Sequence, residues 1–283
     1  MRLVSFGARG AERAGVIVGE NIVPAADLGE PGTVRQLIAA GALADLASSA
    51  RAFTGPTLPL VGVRLGPPVT DPGKIICVGL NYKGHADEQK KPWPTVPLLF
   101  AKTANTLAGC ADDIVLPADD CRPDYEVELV VVIGMRTRRA SAADAARSIA
   151  GYMVGNDVSA RRWQHDDGQW FRAKSSDTFF PCGPALVTPD EAGPVCDMRL
   201  VTEIGGTVLQ DARASDLIHP IAELIAYISR DITLEPGDLI STGTPAGVGC
   251  WRSPPRFLAP GDVVACAIEP LGRLRNRVAS TIP

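Results

Sequence analysis

Short apolar runs separated by turn residues dominate the chain from residue 75 onward. They lie at 74–80 (KIICVGL), 97–102 (PLLFAK), 126–134 (EVELVVVIG), 151–159 (GYMVGNDVS), 199–206 (RLVTEIGG), 238–244 (DLISTGT) and 262–270 (DVVACAIEP). Their length, β-branched content and bounding glycines and prolines predict strands. Two segments with helical spacing interrupt them, 141–151 and 219–231. The N-terminal stretch reads differently. RLVSF and AGVIVG predict two short strands, and residues 33–52 carry one helical period that stops before Thr-Gly-Pro. Residues 66–74 (GPPVTDPGK) concentrate proline and glycine and predict a linker or bend. The expected organisation is a small N-terminal α/β domain over 1–68 and a larger domain over 72–283. The class is α+β and mostly β, built on mixed sheets. LEPGDLI and LAPGDVV, starting at Leu234 and Leu258, read as two similar turns feeding strands.

Composition narrows the partners. Net charge is −4 and no block of five like charges occurs, so a nucleic-acid surface is not expected. The opening MRLVSFGARG has no continuous apolar region of the signal-peptide kind. No apolar run approaches membrane-spanning length, and a cytoplasmic protein without membrane contact is expected. The seven cysteines are widely spaced with no C-x-x-C, which disfavours both a zinc ribbon and a disulfide framework. With only three histidines, a metal site here would be built mainly from oxygen.

One strand carries an anomaly. Glu126 and Glu128 stand just ahead of an apolar run, two residues apart. Side chains alternate along a strand, so both carboxylates share a face and repel. A hard divalent cation would relieve them. Asp157, after the apolar run of GYMVGND, is a candidate third ligand. Oxygen donors favour magnesium or manganese. His85 and Glu88 are three apart, which on a helical turn allows a hydrogen bond that fixes the imidazole tautomer. Lys174, between RA and SSDTFF, reads as a partly enclosed cation able to stabilise an enolate. STGTPAGVG lacks the nucleotide-loop patterns, and its backbone amides suit a carboxylate or carbonyl. His165, Asp166 and Asp167 read as a polar loop.

Taken in order, VGLNYKGHADE, PLLFAK, DYEVELVVVIG, GYMVGNDVSAR, GQWFRAKSSDTFFPCGPALV, LEPGDLISTGTPAGVG and LAPGDVV resemble the fumarylacetoacetate hydrolase (FAA hydrolase) superfamily. The resemblance runs from about residue 74 to residue 278, and the N-terminal unit is similar to the extra domain of many bacterial members. It implies the FAA hydrolase-type fold, with one magnesium or manganese ion on Glu126, Glu128 and Asp157. It further implies a water-activating dyad of His85 and Glu88 on a segment that orders over substrate. Lys174, Arg161, Gln164 and Thr244 are implied substrate contacts, and a homodimer is implied. The chain departs from the family pattern at Arg162, where Asp is most common.

The expected activity is metal-dependent hydrolysis of a C–C bond in a 2,4-dioxo acid of acylpyruvate or fumarylpyruvate type. The alternatives use the same enolate without hydrolysis. They are decarboxylation, isomerisation or hydration of 2-oxo acids, and ureidoglycolate-type lyase chemistry. A metal-dependent binding protein without turnover is a third reading.

Overall fold

The computed structural model describes residues 1–281. Its strands are β1 Arg2–Phe6, β2 Arg13–Val18, β3 Asn21–Pro24, β4 Leu58–Pro59, β5 Ile75–Gly79, β6 Leu98–Lys102, β7 Leu107–Ala108, β8 Ile114–Leu116 and β9 Pro123–Asp124. They continue as β10 Val127–Ile133, β11 Ile149–Asn156, β12 Ser159–Ala160, β13 Phe180–Val187, β14 Arg199–Ile204, β15 Thr207–Arg213, β16 Leu239–Ser241, β17 Val263–Glu269 and β18 Gly272–Ser280. Mixed sheets dominate and helices are few and short, as the strand-rich pattern predicts. The largest sheet runs β4-β3-β2-β1-β13-β11-β10-β16-β5-β6, with β7 added beside β13. A second sheet runs β15-β14-β17-β18-β8, and β12 pairs with β9 alone. Most pairings are antiparallel; β16 with β5 is parallel.

The segments 1–68 and 72–283 share the large sheet. β1 pairs with β13 through Arg2↔Val187 and Leu3↔Leu186. The proline-rich stretch between them is packed, not free. Gly66 N–H donates to the Ser5 carbonyl at 2.8 Å, and Ser5 Oγ donates to the Pro68 carbonyl at 2.7 Å.

Strand β10 lies at the centre and is buried along its whole length. Its alternation serves two cores. Val127, Leu129, Val131 and Ile133 join the core that includes Leu200, Val264 and Leu274 of the second sheet. Val130 and Val132 join the core beneath the N-terminal helices, with Leu37 and Leu46. Glu126 and Glu128 continue the second of these faces towards the strand's N-terminal end, which is where the site forms.

Two expected helices differ. Residues 33–52 form two, Val34–Ala39 and Leu43–Ala52. Gly41 between them has φ +71°, a left-handed conformation that ends a helix and that glycine adopts without strain. The first helix starts at a capping box, in which Thr33 Oγ1 accepts from Gln36 N–H and Gln36 Oε1 accepts from Thr33 N–H. The segment 141–151 is helical only over Ala142–Ala145 and one 3-10 turn. β11 takes over from Ile149, because pairing with β10 and β13 on both sides outweighs local helix propensity. Among the described residues no helix is long and apolar enough to cross a membrane.

Candidate active site

The antiparallel register of β10 and β11 sets Val127 opposite Asn156. The next step along each strand brings Glu126 and Asp157 together. The Glu126 carbonyl accepts from Asp157 N–H at 2.8 Å, and Asn156 Oδ1 accepts from Glu126 N–H at 2.9 Å. Glu126, Glu128 and Asp157 are all buried, and one oxygen from each lies within 4.8 Å of the others. This is a donor set for a hard divalent cation.

Three cations of the chain surround the three carboxylates. Lys174 Nζ donates to Glu126 Oε2 and Asp157 Oδ2, each at 2.6 Å. Arg161 reaches Glu126 Oε1 at 2.6 Å. Lys102 Nζ donates to Asp157 Oδ1 at 2.7 Å and to the Lys174 carbonyl. Lys174 is therefore enclosed, at 2% exposure, more fully than the sequence implies. Its ammonium also sits 5.0 Å from the centroid of Phe100.

The environment splits the two glutamates. Burial works against ionisation of Glu126, but Lys174 and Arg161 outweigh it and hold its carboxyl below the usual carboxylate range. Glu128 has no such cation in contact. Burial first, then the charges of Asp157 and Glu126, push its carboxyl well above the ordinary value. Glu128 Oε2 accepts from Ser241 Oγ at 2.5 Å and from Gly243 N–H at 2.9 Å. Its Oε1 has no hydrogen-bond partner among the described residues, and Glu128 lines the cavity. An acceptor left open among three converging carboxylates is what a divalent cation would fit.

His85 and Glu88 lie on the short helix Lys83–Glu88. His85 Nδ1 and Glu88 Oε1 are 2.5 Å apart, and Glu88 Oε2 accepts from Gly247 N–H at 2.9 Å. The other imidazole nitrogen, Nε2, contacts the Gln89 side-chain amide at 2.9 Å. The loop 241–249 thus turns its backbone amides on the protein's own carboxylates: Gly243 on Glu128, Gly247 on Glu88, and Gly249 on Asp124 at 2.7 Å. Gly247 has φ +100°, and a Cβ there would stand 2.1 Å from the Leu209 carbonyl oxygen, so only glycine fits.

A cavity of about 650 Å³ is lined by His85, Glu126, Glu128, Arg161, Gln164, Lys174 and Thr244 together. Among the candidate residues, Glu88 and Asp157 stand behind that lining. Gln164 Oε1 accepts from Arg161 at 3.0 Å. Thr244 Oγ1 donates to the Val127 carbonyl at 3.0 Å and accepts from Gln210 at 2.8 Å. Phe100 and Trp170 form an edge-to-face wall with centroids 5.2 Å apart. His165 and Asp166 fall in the helix Arg161–Asp166, not a loop, and their side chains are exposed. Asp167 follows it and pairs with Arg172.

Sequence reading passes over three buried polar side chains. Lys102 closes PLLFAK, where a lysine ending an apolar run is the one available signal. Asp124 is buried and accepts from Arg161 and from the amides of Gly249 and Cys250. Gln210 ties Thr244 to the second sheet, and nothing in its neighbourhood of the chain marks it.

The sequence of residues 74–279 matches the family model of the fumarylacetoacetate (FAA) hydrolase C-terminal domain. The chain belongs to the fumarylacetoacetate hydrolase family. It is 42% identical over 251 residues, 88% of this chain and 80% of the relative, to the mitochondrial oxaloacetate tautomerase FAHD2A of Homo sapiens. It is 42% identical over 283 residues, 99% of this chain and 96% of the relative, to 2,4-didehydro-3-deoxy-L-rhamnonate hydrolase of Sphingomonas sp. (strain SKA58). Among solved structures, it is similar to maleylpyruvate hydrolase of Sphingobium sp. SYK-6 in complex with manganese(II) and pyruvate, with TM-score 0.83, 28% identity and full coverage of both chains. The family is enzymatic, and these relatives carry hydrolase and tautomerase names.

Proposed function

We propose that this chain is a divalent-metal-dependent hydrolase that cleaves the C3–C4 bond of a 2,4-dioxo acid of the acylpyruvate type. The observation that carries this reading is that His85, backed by Glu88, lines the same cavity as Glu126, Glu128 and Lys174. The relatives support it. The name 2,4-didehydro-3-deoxy-L-rhamnonate describes oxo groups at C2 and C4 with a CH2 between them, and maleylpyruvate is a diacid of the same 2,4-dioxo pattern.

Glu126, Glu128 and Asp157 would hold a magnesium or manganese ion, which supplies Lewis-acid polarisation of the 2-oxo acid end when bound. The chain's residues do the rest. Glu88 accepts from His85 Nδ1–H, which leaves the Nε2 lone pair as the base. Gln89 donates into that lone pair and must swing aside for water to take its place. His85 removes the proton as the water oxygen bonds to C4. The C3–C4 bond then breaks, its electron pair forms pyruvate enolate, and the acyl group leaves as a carboxylic acid. Lys174 stabilises the enolate oxygen. The proton held by His85 would then pass to C3 of the enolate, giving pyruvate. Arg161, Gln164 and Thr244 orient the substrate.

A second reading has its own support in the 42% identity to an oxaloacetate tautomerase. There His85 would carry a proton between C3 and the enol oxygen, and no bond between carbons would break. One assay separates the two. Acetylpyruvate, fumarylpyruvate and oxaloacetate are each incubated with magnesium and then with EDTA, and released pyruvate and the enol absorbance are followed. Magnesium-dependent pyruvate release from the acylpyruvates is expected. Accelerated oxaloacetate equilibration without any pyruvate release would replace the hydrolase by the tautomerase.

A further inference from the structure

The cavity has a buried floor and an exposed rim, and their charges differ. On the floor, Glu126 is paired with Lys174 and Arg161 beside Glu128, and just behind them Asp157 is paired with Lys174 and Lys102. The rim carries three cations, Lys91, Arg122 and Arg162, with His165 and one carboxylate, Asp166, whose Oδ1 lies 3.1 Å from His165 Nδ1. Arg162 contacts Asp120 at 3.3 Å. The Arg122 side chain has no carboxylate partner among the described residues. It lies instead over the Phe257 ring, 6.0 Å from its centroid.

Arg122 is held in place from both sides. Its N–H donates to Asp120 Oδ1 at 3.3 Å, and its carbonyl accepts from the N–H of Arg161 at 3.2 Å. Its φ is +49°, a left-handed conformation that glycine would adopt with less strain. A backbone tied to Asp120 and Arg161 therefore presents to the mouth of the cavity a guanidinium with no carboxylate partner among the described residues. The volume of about 650 Å³ is that of a pocket for ligands well beyond the size of oxaloacetate or pyruvate. A substrate whose 2-oxo acid end reaches the floor would extend along Phe257 and Trp251 to the rim.

We propose that Arg122 is a specificity-determining residue that binds a distal carboxylate, so that the substrate is a 2,4-dioxo diacid. This rests on the 2,4-dioxo acid reading above. A guanidinium offers a carboxylate two parallel N–H donors, which an amide or methyl end group cannot accept equally well.

The test uses succinylpyruvate and its terminal carboxamide, which differ in charge and hardly in shape. The wild-type ratio of kcat/KM, carboxylate over carboxamide, is expected to exceed tenfold. Arg122→Gln is expected to lower that ratio about 10- to 100-fold, the value of one charge-assisted contact, chiefly through KM for the diacid. Arg122→Lys should retain part of the preference. A wild-type ratio near one, or an equal loss on both compounds in Arg122→Gln, overturns the proposal. Dissociation constants measured by calorimetry with magnesium present keep the two readings apart. Tight, Arg122-dependent binding of the diacid without pyruvate release sinks the hydrolase reading and keeps the distal subsite. Turnover of both compounds without discrimination keeps the hydrolase and sinks the subsite.

Discussion

At the residue scale, the site is a balance of buried charges, and Lys102 is as deep in it as Lys174. Its side chain is fully buried, and its ammonium joins Asp157 to the carbonyls of Val158 and Lys174. Removing one partner of a buried ion pair leaves the other charge unpaired, at a cost of about 3–5 kcal/mol. Lys102→Met is expected to lose stability in that range, read by urea unfolding in EDTA, while a loss under 1 kcal/mol would mean the pair is dispensable. His85 answers to a different measurement. In the proposed hydrolysis its proton transfer would serve water attack at a carbon remote from the carboxylates, so His85→Ala should slow acylpyruvate hydrolysis by about 10²–10⁴. Decarboxylation of oxaloacetate needs no activated water and should fall much less. Wild-type hydrolysis by His85→Ala would remove the dyad from the mechanism. The sequence carries these residues unequally. Glu126 and Glu128 announce themselves because two acids on a strand face conflict with the apolar run after them. Asp124, Lys102 and Gln210 raise no such conflict locally, since their partners are 37, 55 and 34 residues away.

At the element scale, strand β10 was legible because its pattern and its surroundings agree. A run of β-branched residues buried on both faces is a central strand by propensity and by packing alike. The segment 33–52 has the apolar spacing of one helix because that spacing continues across Gly41, while the chain turns there. Gly41 ends the first helix with its N–H on the Ile38 carbonyl, and Ala42 N–H closes on Leu37. A Cβ at Gly41 would meet nothing within 4 Å, so alanine would bring backbone strain and no clash. Gly41→Ala should therefore destabilise by about 1 kcal/mol in chemical denaturation, the cost of a left-handed conformation for a residue with Cβ. A stabilising effect would indicate that the two helices merge into one. The helix Lys83–Glu88 shows the limit of pattern reading in the other direction. Its i,i+3 pair is visible in the sequence, but its anchor, Gly247 N–H on Glu88, comes from 159 residues further on.

At the scale of the whole molecule, the site gathers side chains from separate parts of the large sheet: the carboxylates of Glu126 and Glu128 at β10 and of Asp157 after β11, with Lys102 at the end of β6 as counterion. An ion there would bind the folded chain and not the unfolded one, so it must appear in the stability of the entire protein. Glu128 sets the sign. Burial, then Asp157 and Glu126, raise its folded pKa above the unfolded value of about 4.3. A group raised in this way favours folding below its unfolded pKa and loses that contribution as pH climbs towards the folded value. At pH 7 in EDTA, Glu128→Gln should consequently be as stable as wild type or more stable, since a neutral amide replaces a carboxyl whose charge is disfavoured. Magnesium should reverse the order. At a concentration one hundred times its Kd, it should add about 2.7 kcal/mol to wild type, seen as a rise in Tm of about 5–10 °C. Glu128→Gln, lacking one anionic ligand, should show little of that rise. An equal magnesium shift in both proteins would place the ion elsewhere. A Glu128→Gln protein less stable than wild type in EDTA would mean that the carboxylate is already satisfied by Ser241 and Gly243 alone.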